Sequence, residues 1–289
     1  MAIQKVGVIG CGLMGHGIAQ VAAQAGCEVI VREAEQGALD KGLGRIHKSL
    51  AKLVEKEKLT QAQADETSGR LSGTLDLTDL ADCDLVVEAI IEDLDIKTAL
   101  YKELGGLCKP ETIFASNTSS FPVATMGEAS GRPDKMVGLH FFNPVQLMKL
   151  VEVVRTPATS EESFAAAMAF GKAVGKAPVA AADTPGFIVN RLLVPYMAEA
   201  MRLVERGDAT PADVDTAMKL GCGYPMGPFT LTDYVGLDTT LSILEGWHER
   251  FPADPLFVPP QLLKDKVAEG KLGRKSGEGF FDWSGDKRS

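Results

Sequence analysis

His140, one of four histidines in 289 residues, lies in the stretch GLHFFNPVQLMKLVEVV, residues 138–154. Twelve residues later Glu152 interrupts the apolar run LVEVV. An imidazole beside a carboxylate is a proton-transfer unit: the acid engages one ring nitrogen and leaves the other to take or give a proton near neutral pH. MVGLHFF and KLVEVV both read as strands. Alternation puts Leu150, Glu152 and Val154 on one face and Val151 and Val153 on the other. Two nearby strands could therefore aim His140 and Glu152 at each other. A structural pair, in which the ring only satisfies a buried acid, is the other reading. A dinucleotide loop upstream would favour the acid–base dyad.

The first thirty residues supply such a loop. KVGVIGCGLMGHGIAQVAAQAGCEVIVRE reads as strand, glycine turn, helix and strand. The turn holds Gly10, Cys11, Gly12, Leu13, Met14 and Gly15 in the pattern G-x-G-x-x-G. Gly10 allows the tight turn, Gly12 lets a pyrophosphate approach the backbone, and Gly15 lets helix and strand pack closely. The N–H groups at the helix start favour phosphate charge. Glu33 ends the second strand, where an acid accepts the adenosine ribose hydroxyls and repels a 2′-phosphate, so NAD is expected over NADP. Arg32 beside it leaves some room for NADP. FAD uses the same fingerprint, so the redox end of the cofactor must be argued from elsewhere. Cys11 reads as a small residue tolerated in the loop, not as a reactive thiol.

Other polar positions have two readings each. Residues 37–58 form an amphipathic helix whose apolar stripe is Leu39, Leu43, Ile46, Leu50, Leu53 and Val54. Its other side collects Lys41, Arg45, Lys48, Lys52 and Lys56. That stripe is either a solvated face or a holder for a phosphorylated substrate handle, and spacing alone does not decide. DCDLVVEAIIEDLDIK gives a strand over 85–89, ending near Glu88 and Glu92, with Lys97 entering a helix. ETIFASNTSS gives a strand over 113–116 that stops in Asn117-Thr118-Ser119-Ser120. Ligands of open α/β sheets bind beyond the carboxyl ends of strands, which places both segments at a cofactor crevice. Routine turn or helix capping would explain SNTSS equally well.

The composition is that of a globular protein, 45% apolar and 24% charged. A net charge of −9 argues against a nucleic-acid partner. No apolar run reaches the ~20 residues of a membrane span. The amino terminus goes straight into a strand-like run, so no signal peptide and a cytoplasmic location are expected. Five scattered cysteines without a C-x-x-C pair point away from disulfides and from a metal site. After AADTPGF the patterns become helical, with Thr184-Pro185 and Thr210-Pro211 as start signals and Gly207 and Gly221 as stops. Pro195 falls inside the first of these helices, and Asn190 is the uncharged polar residue in its otherwise apolar first two turns. The expected architecture is thus α/β, a Rossmann-type NAD-binding domain over 1–185, with a second all-α domain over 186–289.

The stretches GVIGCGLMGHGIAQ, VVEAI, IEDLDIK, FASNTSS, GLHFFNPVQLMKLVEVV, DTPGFIVNRLL, MGPFTLTDYVGLDT and GRKSGEGFF occur in order. With them the chain resembles short-form L-3-hydroxyacyl-CoA dehydrogenases of the 3-hydroxybutyryl-CoA dehydrogenase kind over essentially its whole length. The resemblance implies NAD-dependent interconversion of a 3-hydroxyacyl-CoA and its 3-oxo form. It implies His140 as general base, Glu152 as its orienting partner, Ser119 on the reacting oxygen and Asn190 beside the substrate carbonyl. On the cofactor side it implies the glycine loop, Glu33 (where the family often has Asp), Glu92, Lys97, Asn143 and Lys275. Lys52 and Lys56 become the candidates for CoA phosphates. A homodimer through the helical domain is implied too. The competing readings are a β-hydroxyacid dehydrogenase acting on free acids, which relies on a lysine and lacks HFFNP, and an NAD-binding scaffold without chemistry.

Overall fold

The structure is a computed structural model and describes residues 3–285. It divides into two units, residues 1–187 and 188–289. The first unit runs β1 (Lys5–Ile9), α1 (Gly15–Gln24), β2 (Glu28–Arg32), α2 (Gln36–Glu55), α3 (Gln61–Gly69), β3 (Leu71–Thr74), β4 (Leu85–Glu88) and α4 (Leu94–Leu107). It continues with β5 (Ile113–Ser116), α5 (Val123–Ala129), β6 (Met136–Phe141), β7 (Leu150–Arg155), α6 (Glu161–Ala173) and β8 (Ala177–Ala182). The strands form one sheet in the order β3-β2-β1-β4-β5-β6-β7-β8. Every neighbouring pair is parallel except β6 and β7, which are antiparallel.

Strand order reverses between β1 and β4, and the two strand ends meet there. A Cβ on Gly10, which has φ +88°, would lie 2.7 Å from the Ala89 carbonyl oxygen. Period-two alternation sorts the side chains onto two buried faces. Val6, Val8, Val29, Val31, Leu85 and Val87 pack with Ile18, Leu39, Ile46 and Leu50 of α1 and α2. Ile30, Val86 and Phe114 pack on the other side with Tyr101 and Leu104 of α4 and with Val123 and Met126 of α5. Glu88, Ser116, His140 and Glu152 fall, by the same alternation, on this second face.

The second unit is all-α: α7 (Val189–Glu205), α8 (Pro211–Cys222), α9 (Pro228–Val235), α10 (Leu237–Arg250) and α11 (Gln261–Ala268). Met197, Met201, Phe229, Leu244, Trp247, Phe257 and Leu263 form its core. Thr210 caps α8 with Pro211 in its first turn. Two expected signals are corrected. Gly221 lies within α8, which ends instead on Gly223 in the left-handed region at φ +71°. Thr184-Pro185 opens a turn, not a helix: Gly186 and Phe187 have φ of +75° and +51°, so helical geometry starts only at Val189. No helix among the described residues is long and apolar enough to cross a membrane. The cysteines are unpaired; Cys11, Cys27, Cys83 and Cys108 are buried and Cys222 is exposed.

Candidate active site

The reversal of direction at β7 builds the proton-transfer pair. Antiparallel register sets His140 directly opposite Glu152. The His140 Nδ1–H donates to Glu152 Oε2 at 2.6 Å, with the residues 6% and 0% exposed. Because the carboxylate can only accept, Nδ1 carries the proton of a neutral ring and Nε2 is left as its basic nitrogen. Phe142 and Phe187 flank the imidazole at ring-centroid distances of 4.6 and 5.5 Å. Asn117 Oδ1 accepts the N–H of Phe141 at 3.0 Å, tying the end of β5 to the residue after His140. Gly138 keeps the pair of strands close: a Cβ there would meet the Val154 side chain at 2.7 Å.

The glycine loop leaves the end of β1 two strands away from β5. A Cβ on Gly15 would sit 1.7 Å from the Gly10 carbonyl oxygen, so only glycine fits the close approach of helix and turn. A Cβ on Gly12 would meet nothing within 4 Å. That open flank beside the α1 N-terminus fits a dinucleotide pyrophosphate. Met14 stands at the α1 N-cap, and Leu13 is 64% exposed. Glu33 reaches back to the loop, its Oε1 accepting the Cys11 N–H at 2.5 Å, so the ribose-type acid and the phosphate-type turn are physically joined. Cys11 itself is buried. Burial, reinforced by the Glu33 charge, pushes its thiol up to about 12, so it is protonated and inert at neutral pH. Sequence reading missed Gly42, which lets α2 touch this loop: a Cβ there would lie 2.4 Å from the Cys11 sulfur.

At the ends of β4 and β5 the charged residues are gathered. Lys97 Nζ lies 2.5 Å from Glu88 Oε1 and 3.2 Å from Glu92 Oε2. Lys97 is 1% exposed, so its ammonium is enclosed by these acids. Burial works to raise the Glu92 carboxyl. The Lys97 charge, the Thr118 hydroxyl and the Ser119 N–H outweigh it and hold the group below its ordinary value. Ser119 is half-buried, and its N–H donates to Glu92 Oε1 at 3.1 Å. Glu88 was legible only as an acid ending LVVE; its burial needed the helix that brings Lys97 over it.

The remaining candidates are spread. Asn143 is exposed in the turn after β6. That turn is docked by the buried Lys176, whose Nζ donates to the carbonyls of Val145 and Met148, a residue the sequence did not single out. Lys52 and Lys56 are exposed at the end of α2, and no ion pair engages them among the described residues. Asn190 lies on the first turn of α7, in the helical unit. Lys275, also in that unit, is 2.6 Å from the Asp238 carboxylate. No cluster of three or more metal-ligating side chains occurs among the described residues.

Residues 5–184 match the model of the NAD binding domain of 3-hydroxyacyl-CoA dehydrogenase, and residues 186–283 match that of its C-terminal domain. The mitochondrial hydroxyacyl-coenzyme A dehydrogenase of Rattus norvegicus is 51% identical over 287 residues, covering 97% of this chain and 91% of the rat protein. A probable 3-hydroxybutyryl-CoA dehydrogenase of Deinococcus radiodurans is 51% identical over 279 residues, covering 96% of this chain and 100% of its own. Among solved structures, (S)-3-hydroxybutyryl-CoA dehydrogenase from Ralstonia eutropha superposes with a TM-score of 0.95 at 40% identity, over 98% of this chain and 100% of that one.

Proposed function

Since this chain belongs to the 3-hydroxyacyl-CoA dehydrogenase family, we propose that it interconverts (S)-3-hydroxyacyl-CoA and 3-oxoacyl-CoA with NAD, acting on a short acyl chain such as 3-hydroxybutyryl. The observation that carries the reading is the buried 2.6 Å contact between His140 and Glu152, in a unit that also holds a dinucleotide loop.

Bound nicotinamide supplies the hydride acceptor for oxidation and the donor for reduction. His140 Nε2 takes the proton of the 3-hydroxyl, at a donor–acceptor distance of ~2.6–3.2 Å. Glu152 holds the ring by Nδ1 and stabilises the imidazolium that forms; in reduction the same imidazolium returns the proton to the ketone. The Ser119 hydroxyl hydrogen-bonds the reacting oxygen, and Asn190 fixes the pose of the thioester carbonyl. Positioning of this kind restricts a substrate to reacting geometry. Gly10, Cys11, Gly12, Leu13, Met14 and Gly15 take the pyrophosphate and Glu33 the adenosine ribose. Glu92, Asn143 and Lys275 complete the cofactor side, with the enclosed Lys97 acting on it through Glu92. Lys52 and Lys56 meet the CoA phosphates.

Mixing the protein with NADH and acetoacetyl-CoA and following NADH absorbance tests the reading. Oxidation of NADH with the thioester, and not with free acetoacetate, is expected. Turnover of the free acid alone would instead assign a β-hydroxyacid dehydrogenase, and turnover of neither an inactive scaffold.

A further inference from the structure

Glu88, the last residue of β4, is fully buried. A carboxylate there requires donors on both oxygens. Its Oε1 accepts from Lys97 Nζ at 2.5 Å and from the Ile90 N–H at 2.9 Å. Its Oε2 accepts from the Ser116 hydroxyl at 2.7 Å. Ser116 Oγ in turn accepts the Thr118 N–H at 3.2 Å. On the far side of the same segment, Glu92 Oε1 accepts from the Thr118 hydroxyl at 2.5 Å, the Ser119 N–H at 3.1 Å and the Ser120 hydroxyl at 3.0 Å. Lys97 bridges the two acids. The segment 116–120 is therefore gripped from both sides by charge-assisted hydrogen bonds, and one lysine fixes the separation of the grips. The hydroxyl of Ser119 takes no part: it makes no hydrogen bond among the described residues.

A buried ion pair is a poor device for stability, because a well-packed apolar replacement is often as stable. It is a good device for holding a loop in one arrangement, since every member has directional partners. We propose that Glu88 is a positioning residue for catalysis: through Ser116, and through Lys97 and Glu92, it sets where the Ser119 hydroxyl stands. This rests on the proposed role of Ser119 at the reacting oxygen. Glu88 touches neither substrate nor cofactor in this scheme; a displacement of the loop by a fraction of an ångström is what its loss would cause.

A double-mutant cycle on kcat, measured with acetoacetyl-CoA at saturating NADH, separates positioning from a general structural role. Ser119→Ala lowers kcat, and Glu88→Gln alone lowers it on the order of ten- to a hundredfold. In the Ser119→Ala background, Glu88→Gln changes kcat by no more than about twofold, because residues that act through one group are strongly non-additive. If instead the two losses multiply, Glu88 acts through folding or through the cofactor and the proposal falls, while the role of Ser119 stands. A Ser119→Ala enzyme with full kcat overturns both. Should Glu88→Gln not fold, Ser116→Ala runs the same cycle, because it removes the donor to Glu88 Oε2 and the acceptor of the Thr118 N–H and leaves the Glu88–Lys97 pair intact. Losses that multiply in that cycle would also overturn the proposal.

Discussion

Placing the acid of the dyad on the neighbouring strand makes backbone register the aiming device for the imidazole. Two consequences follow for single residues. His140→Gln should lower kcat by roughly 10²–10⁴-fold, the usual contribution of a positioned acid–base group, while NADH binding measured by fluorescence titration stays near normal. Retention of most of kcat would remove His140 from the chemistry. Truncation to alanine is the poorer probe, because a buried charge that loses its partner costs about 3–5 kcal/mol of stability. Glu152→Gln keeps the shape but accepts or donates ambiguously and so no longer fixes the ring tautomer; it should lower kcat by less than the histidine variant. An unchanged kcat would leave Glu152 a purely structural partner.

Among the elements, those with strong local signals were legible in the sequence. The glycine turn, the helix after it and the β6–β7 pair are specified by spacing, because their chemistry lies within a few residues. β3 and β8 were not. LSGT and APVAAA carry little β-branched content, and β8 holds a proline, which edge strands tolerate. Glu88, Gly42 and Lys176 act on partners from other elements, so nothing near them in the chain announces their roles. For α2, the exposed Lys52 and Lys56 beside an otherwise acidic protein support phosphate contacts. Replacing both with alanine should raise KM for acyl-CoA a few-fold, and more at low ionic strength, where exposed charges are least screened. Equal KM at both salt concentrations would return the stripe to a solvated face. For the β5–α5 loop, the Glu92 carboxyl lies below its ordinary value of 4.5 in the folded state. A depressed acid contributes stability in full above that ordinary value and loses it as pH falls through the folded value. Protection of the Ser119 amide, its exchange rate relative to the unprotected rate at the same pH, should therefore be constant near neutrality and fall only in acid; a fall in protection already at pH 6 would contradict the grip by Glu92.

At the scale of the molecule, the first unit carries the dyad, the glycine loop and the Ser119 loop, and the helical unit carries Asn190 and Lys275. The helical unit also exposes large apolar side chains, among them Leu220 at 82%, Leu192 at 70% and Tyr224 at 47%. Such a surface is what a second copy would cover. Sedimentation equilibrium should give twice the 30.8 kDa chain mass; a single-chain mass at micromolar concentration would refute the homodimer. The distribution of sulfur has a practical use. Burial pushes the thiols of Cys83 and Cys108 up to about 12 and about 11, as it does that of Cys11, and also raises Cys27. Cys222 alone of the five is exposed. A maleimide at neutral pH would thus reach one thiol per chain, at the end of α8 between Leu220 and Tyr224, and labelling that slows as protein concentration rises would report a second copy covering that face.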